Sequence, residues 1–468
     1  MNLSTRARRC PLSRFLCATA AGWCLLAGAL AFPTLARALP SYTLAECQDL
    51  AARQNPDVLA AGKRVEAAHA TVIQARAGAL PLLSTSGYYQ RREQSVASNG
   101  GTQPNIRTDD YFADVRLTQS LYSSGAVRNR IAAAKLLEQV AILDQQATLD
   151  TVTLQVREAF YSTLAAEQSI GVRRQAVDLL GAQLKDQRDR LAAGSVGQIN
   201  VNRAEVSLAN ERPALLQAQS AVRTAYATLA QVLALTYPRD ATDPPFQVRG
   251  ALAFRPFTMS LEECLGRAAA MRPELQGRKL TLDVLGHQLK AEKAGTRPSV
   301  GAFAAYDVYS QPNELAVKDN FSGYTVGVSG SWTLFDGFAT LGRVRGVRAQ
   351  QGEAATQLVA TRLQVETEVR VAFDQLKTAE STLQPLAQNI ALANETLGLS
   401  TRNFDAGLGI QLEVLQNRVE LTRAQALELS GRLAYNVALA RLERAMAMGR
   451  PTQANRDLAP ATARPAQK

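Results

Sequence analysis

Residues 43–58, TLAECQDLAARQNPDV, return 217 positions later as SLEECLGRAAAMRPEL at 260–275. Leu44/Leu261, Glu46/Glu263, Cys47/Cys264, Ala51/Ala268, Ala52/Ala269 and Pro56/Pro273 are identical. Pro81/Pro298 and Tyr89/Tyr306 keep that offset. Leu121-Tyr122 and Leu334-Phe335 are 213 apart, as are VREAF (156–160) and VRVAF (369–373), AAG (192–194) and DAG (405–407), and Val201 and Val414. A loop between the prolines and the Leu-aromatic pairs therefore differs in length by four residues. Solenoid repeats have periods of roughly 20–50 residues. A period this long is a duplicated domain half, and the chain is two tandem copies of one unit.

Each repeat follows one order. Pro56 and Pro273 restart a helix after a short opening one, since proline is tolerated at a first helical turn; 43–78 and 260–295 read as helix pairs. The period then changes from 3.6 to 2. In 111–121, Tyr111, Ala113, Val115, Leu117 and Leu121 oppose Asp114, Arg116, Thr118 and Ser120. In 321–335, Tyr324, Val326, Val328, Trp332 and Leu334 oppose Gly323, Thr325, Gly327, Ser329, Ser331 and Thr333. This alternation is that of strands. Partner strands at 82–92 and 299–309 make one β-hairpin per repeat, through polar connections. Helical period returns over 126–191 and 338–404. Val365, Val369, Ala372, Leu376, Ala379, Leu383, Leu386 and Ile390 step by four and three, a heptad seam. The first repeat keeps it at Val152, Val156, Ala159, Ala166, Ile170, Val177, Leu180, Leu184 and Leu191, with Thr163, Arg173 and Gln187 intruding. At 1.5 Å per residue each long helix spans about 100 Å, and Pro385 predicts a bend. Gly194 and Gly407 close these helices, and antiparallel helices return over 199–236 and 411–448. The repeats thus occupy 39–250 and 251–448, and the polar, proline-containing tail 449–468 reads as disordered.

Arg6, Arg8, Arg9 and Arg14 precede an apolar run from Phe15 to Phe32, and Ala36-Arg37-Ala38 is a small-x-small site, so 1–38 reads as a signal peptide. A membrane anchor is the rival reading, because the run is borderline in length for a span. Lipidation at Cys17 or Cys24 is a further rival, against which stand the bulky Leu16 and Trp23. The chain has 52 Lys and Arg against 41 Asp and Glu; without the five arginines of 1–38 the excess is +6. It is dispersed, with no basic run interleaved with aromatics, which excludes a nucleic-acid partner. Cys47 and Cys264 read as small buried hydrophobes; a disulfide requires the repeats to meet there. His69 and His287 have no acidic or cysteine partner at metal spacing, and Met446 and Met448 are isolated. There is no nucleophile elbow, P-loop or dinucleotide fingerprint. The expectation is no enzyme, no cofactor and no metal.

Four alternating strands cannot close a barrel, since eight already leave an interior that side chains just fill. Three chains supply twelve. Strands of roughly 9–11 residues suit a tilted bilayer crossing, and tyrosine and tryptophan near their ends suit an interfacial girdle. A soluble hairpin packed on helices explains the alternation but not those aromatics.

The order helix–helix–hairpin–very long helix–helix, written twice behind a signal peptide, resembles the TolC-type outer-membrane efflux duct family over roughly 42–448. The resemblance rests on the doubled TLAEC…NPDV and SLEEC…RPEL, on LYSSG (121–125) and LFDGF (334–338), and on AAGSVGQINV (192–201) and DAGLGIQLEVL (405–415). It implies a mainly α fold with a membrane β-barrel: a homotrimer with a 12-stranded barrel in outer-membrane lipid, standing on a periplasmic α-helical barrel. It implies export of small molecules or proteins across the periplasm and outer membrane, with a periplasmic adaptor and an inner-membrane transporter. Gly125 and Gly337 then mark the strand-to-helix turns. Gly194, Ser195, Gly407 and Leu408 lie on tip turns that meet the adaptor. The constriction carboxylate falls on Glu413, with the second acidic position at Gln416, the gate aromatic at Phe404 and its acidic partner at Asn200. The last three depart from the family pattern, so its gate network is not carried over intact.

Three Glu413 carboxylates on one axis would form a cation-favouring ring; the plainer alternative is an exposed first-turn glutamate favoured by the helix dipole. A non-conducting, structural coiled-coil envelope protein is the other functional reading, but it would not need two hairpins with an apolar face. Scarce His and Met weigh against a metal-specialised duct, and the exported substrate stays open.

Overall fold

The computed structural model describes residues 40–94, 97–98, 101–102, 106–237, 244–312 and 318–448; the expected signal peptide and tail lie outside them. The first repeat runs β1 (Ser41–Tyr42), α1 (Leu44–Gln54), α2 (Pro56–Ala77), β2 (Leu82–Gln94), the short β3 (Ala97–Ser98) and β4 (Gly101–Thr102), β5 (Ile106–Tyr122), α3 (Ala126–Ala192) and α4 (Gln198–Val232). After β6 (Gln247–Val248), which pairs in parallel with β1, the second runs α5 (Leu261–Met271), α6 (Pro273–Lys293), β7 (Ser299–Pro312), β8 (Lys318–Ser331), α7 (Ala339–Asp405) and α8 (Gln411–Ala445).

Both repeats begin with the same local chemistry. The hydroxyls of Thr43 and Ser260 accept the N–H of Glu46 and Glu263, whose carboxylates accept the cap N–H in return, at 2.7 Å in both. These capping boxes satisfy two otherwise orphaned donors each and start α1 and α5. The Thr43 N–H and hydroxyl hold the Glu46 carboxyl below the usual carboxylate range. The box therefore stabilises fully above the ordinary carboxylate pKa and is lost as pH falls through the lowered one.

The hairpins join into one antiparallel sheet in the order β2–β5–β7–β8, leaving β2 and β8 as edges. Its register carries an apolar face across all four strands: Leu83, Leu117, Ala304 and Val326 form one row, and Thr85, Val115, Tyr306 and Tyr324 the next. On the other face Asp114 stands opposite Ser86 and Asp307, and the Ser86 hydroxyl and N–H donate to it at 2.5 and 3.0 Å. Phe303 is an apolar residue on this polar side. Its ring lies where a side chain at Gly327 would stand, 2.9 Å from a Cβ built there, and the Arg116 guanidinium covers it at 5.7 Å.

The strands differ from expectation in several details, and the two strand-to-helix turns differ from each other. At the hairpin ends β2 reaches Gln94 and β7 reaches Pro312, past the expected 92 and 309, while β5 begins at Ile106 and β8 at Lys318, ahead of the expected 111 and 321. A bulge between Ser120 and Tyr122 sets Tyr122, not Leu121, opposite Val300, so the alternation breaks before Leu121. β8 ends at Ser331, short of the expected 335; Trp332 and Leu334 lie beyond it, and the Trp332 indole donates to the Thr296 carbonyl at 3.1 Å. Gly125 and Gly337 are not equivalent. Each turn takes two left-handed residues, Ser124-Gly125 (φ 50° and 84°) and Gly337-Phe338 (63° and 69°), and glycine is second in one, first in the other. One glycine per turn halves the strain, since a left-handed L-residue costs roughly 1–2 kcal/mol.

α3 and α7 have 67 residues each. α4 covers α3, α8 covers α7 and also touches α3, while α2 and α6 flank α3 and α6 also meets α7. Of the seam, Val365, Val369, Ala372, Leu376 and Ala379 are buried, whereas Leu383, Leu386 and Ile390 are half-buried. α7 continues through Pro385. The intruding Thr163 and Gln187 are fully buried; Thr163 donates to the Ala159 carbonyl at 2.8 Å. Cys47 and Cys264 are free thiols in separate cores, the first with Val152, Val156 and Tyr226, the second with Val369, Leu376 and Tyr435. Burial pushes the Cys47 thiol up to about 12.

The repeats close the same joint with different chemistry. In the first, Asn55 and Gln54 amides donate to the carbonyls of Val232 and Leu233 at 2.8 and 2.7 Å. In the second, Arg272, 3% exposed, and Arg444 alternate with Glu368 and Glu274. Both guanidiniums donate to Glu368, and Arg444 lies 3.3 Å from Glu274. Asn55, Asp57, Gln155 and Gln231 stand at the equivalent positions. Removing one member of a buried ion pair costs about 3–5 kcal/mol, against roughly 1–3 for an unmet neutral bond. Arg272→Ala is therefore expected to lower the denaturant midpoint of the purified protein more than Asn55→Ala; equal shifts would place the two joints on the same footing.

Candidate functional site

The two turns that reverse the chain after α3 and α7 are built alike. Gly194 and Gly407 take left-handed φ values of 72° and 74°. Ser195 N–H and hydroxyl both donate to the Arg190 carbonyl at 2.9 Å, and the N–H groups of Leu408 and Gly409 to the Asn403 carbonyl at 2.8 and 3.1 Å. The last carbonyls of both helices are thereby satisfied within the turn. Leu408 and Ile410 are left exposed at its surface. Beneath the turns a small core of Leu180, Leu184, Val201, Ala204, Leu208 and Leu415 joins α3, α4 and α8.

Two contacts tie the turns to one another. The Arg190 guanidinium at the end of α3 reaches Asp186 at 3.0 Å and Asp405, the last residue of α7, at 3.3 Å. It also covers the Phe404 ring at 5.4 Å. The Asp186 and Asp405 carboxylates hold this guanidinium above its ordinary pKa. A carboxylate at a helix C-terminus faces the negative end of the dipole, and Arg190 offsets that cost for Asp405. The second contact is buried: Gln411 donates to the Asn200 carbonyl at 3.2 Å.

Of the residues singled out by sequence, Phe404 lies within the Arg190 contact, half-buried. Asn200 joins through its main-chain carbonyl rather than its side chain. Glu413 is exposed in the first turn of α8, without an ion-pair partner among the described residues. Gln416 is exposed one turn on, in a groove with Ile199, Asn202, Leu412 and Leu415. Among the described residues neither makes a side-chain hydrogen bond to Phe404 or Asn200. Arg190, Asp405 and Gln411 escaped the sequence reading. The available signal was Asp405 itself, an acid where the dipole disfavours one, with a basic residue four before Gly194 in the other repeat.

The sequence profile of the outer membrane efflux protein family matches residues 48–235 and 264–448. The chain belongs to that family. It is 26% identical to the outer membrane efflux protein BepC of Brucella suis over 66% of each chain. To the outer membrane protein TolC of Vibrio cholerae it is 22% identical, over 89% of this chain and 93% of that one. Its fold matches the CmeC outer membrane channel of Campylobacter jejuni with a TM-score of 0.75 at 15% identity, over 89% of this chain and 88% of that one. The protein is an outer-membrane efflux channel, and its family serves tripartite pumps. Among the described residues no helix is long and apolar enough to cross a membrane.

Arg190→Gln and Asp405→Asn are each expected to speed hydrogen exchange in the turns around Ser195 and Leu408. An exposed ion pair contributes about 0.2–1 kcal/mol, so the effect stays within roughly fivefold and shrinks at high salt. Exchange unchanged in both variants would remove this link between the turns.

Proposed function

We propose that three copies of this chain form a conduit through the outer membrane and periplasm, fed by an inner-membrane transporter through an adaptor seated on the tip turns. One observation carries this reading: a four-stranded sheet with an apolar face across every strand and an unpaired strand at each edge. Edges of that length invite pairing with another chain, and closure into a barrel abolishes them. The face with Val326 and Val328 then meets lipid, and the face with Ser329, Asp114 and Arg116 the lumen. At the other end Gly194, Ser195, Gly407 and Leu408 present the turns to the adaptor. Glu413 forms a carboxylate ring, Gln416 lies beside it, and Arg190 with Asp405 and Phe404 holds the turns together in place of an acid at Asn200.

The mature protein is expected to fractionate with the outer membrane as a heat-dissociable trimer; monomer alone after cross-linking would overturn the assembly. Val328→Arg puts a charge on the lipid face at a cost of about 2–4 kcal/mol near the midplane and should reduce assembled trimer, whereas Ser329→Arg should leave it near wild type. Equal yields would invert or void the assignment of faces.

Three confined Glu413 carboxylates repel one another and bind divalent cations more readily than one. Glu413→Ala should weaken block by divalent cations in planar bilayers without reducing trimer, and Gln416→Asp should deepen it. Identical block in all three proteins would show that neither residue lines the constriction.

A further inference from the structure

Between α3 and α8, next to the core beneath the turns, lies a cavity of about 310 Å³, within the range of roughly 300–1,000 Å³ of small-molecule sites. Its walls are mainly hydrocarbon, from Ala176, Leu179 and Leu180 of α3, Leu397 of α7, and Leu421 and Ala426 of α8. Four charged side chains line it: Arg173, Glu211, Arg418 and Arg423. Arg173 is neutralised by Glu211 at 2.8 Å, and Arg423 is exposed.

Arg418 has no such partner. Its Nη1 donates at 3.1 Å to the carbonyl of Leu179, an acceptor inside α3, and its Nε is buried without any acceptor. No carboxylate of the described residues lies within ion-pair distance. Burial pulls its pKa below the ordinary guanidinium value, the mark of a cation whose lost hydration is not replaced by counter-charge. A buried donor left unmet is costly, and most costly when charged. The lining therefore carries one partly buried cation that no carboxylate of the described residues neutralises.

We propose that this cavity binds a single-chain amphiphile with a monoanionic head, such as a medium-chain carboxylate, its head on Arg418 and its tail along Leu179, Leu180 and Leu421. One unpaired guanidinium with a buried donor matches one negative charge, since Arg423 is exposed to water, and a planar carboxylate can accept from Nε and an Nη together. The hydrocarbon walls select a chain over a small inorganic anion. Because α3 and α8 belong to different helix pairs, an occupant joins the two repeats at this level.

The test uses the full mature chain in lipid nanodiscs, with radiolabelled decanoate and 1-decanol as probes and empty nanodiscs as the blank. Arg418→Met keeps an unbranched apolar stem and removes the guanidinium with its charge. It is expected to weaken decanoate binding about tenfold or more, the scale of a lost charge-assisted bond, and to leave decanol binding unchanged. Ala176→Phe, which fills the cavity, is expected to abolish saturable binding of both. No saturable decanoate binding to the wild type, equal decanoate affinity in Arg418→Met, or undiminished binding in Ala176→Phe would each overturn the proposal.

Discussion

Along α3 and α7 apolar residues recur every three or four positions over tens of ångströms, and no turn of such a helix can leave that stripe in water without loss. Cover has to be supplied for the whole length, and the chain supplies it from different segments at different levels. Near the hairpins α2 and α6 lie against α3; further along α4 and α8 take over. The short helices α1 and α5 complete the cores midway, where Cys47 and Cys264 are fully buried. The seam is thus the reason that each repeat needs four helices. It also accounts for Thr163 and Gln187, polar residues in a stripe that stays buried around them.

Duplication sets the architecture but leaves the chemistry of each joint free. Neutral amides close the junction of the first repeat and an alternating square of two arginines and two glutamates that of the second. The backbone path is the same because the capping boxes, Pro56 and Pro273 start the helices at equivalent points. Side chains then had only to satisfy the same carbonyl end of α4 or α8. The strand-to-helix turns show the same freedom: two left-handed residues are required, and glycine occupies either place.

The tips show the same freedom. Asn200 and Phe404 bring neither a charge nor a hydroxyl to the tips. Arg190 instead meets an acid on the other repeat and covers the same aromatic ring. The link lies on exposed side chains and is weak taken singly.

How much of this the sequence determined follows from the range of the interactions. Order and type of elements depend on near neighbours in the chain: caps two or three residues away, strand alternation, the four-three seam, the glycines after α3 and α7. All of that was legible in the residues, down to the paired hairpins and the position of the turns. The bulge at Leu121 was not, because it arises only when β5 is laid against β7 of the other repeat. Nor was the partner of Arg190, 215 residues away, or the missing partner of Arg418. Charged side chains at helix surfaces carry no pattern that names their neighbours, since many pairings satisfy the same composition. Packing the two repeats against each other selected among them, and only the tertiary structure shows which charges met and that Arg418 was left with a buried, unpaired Nε.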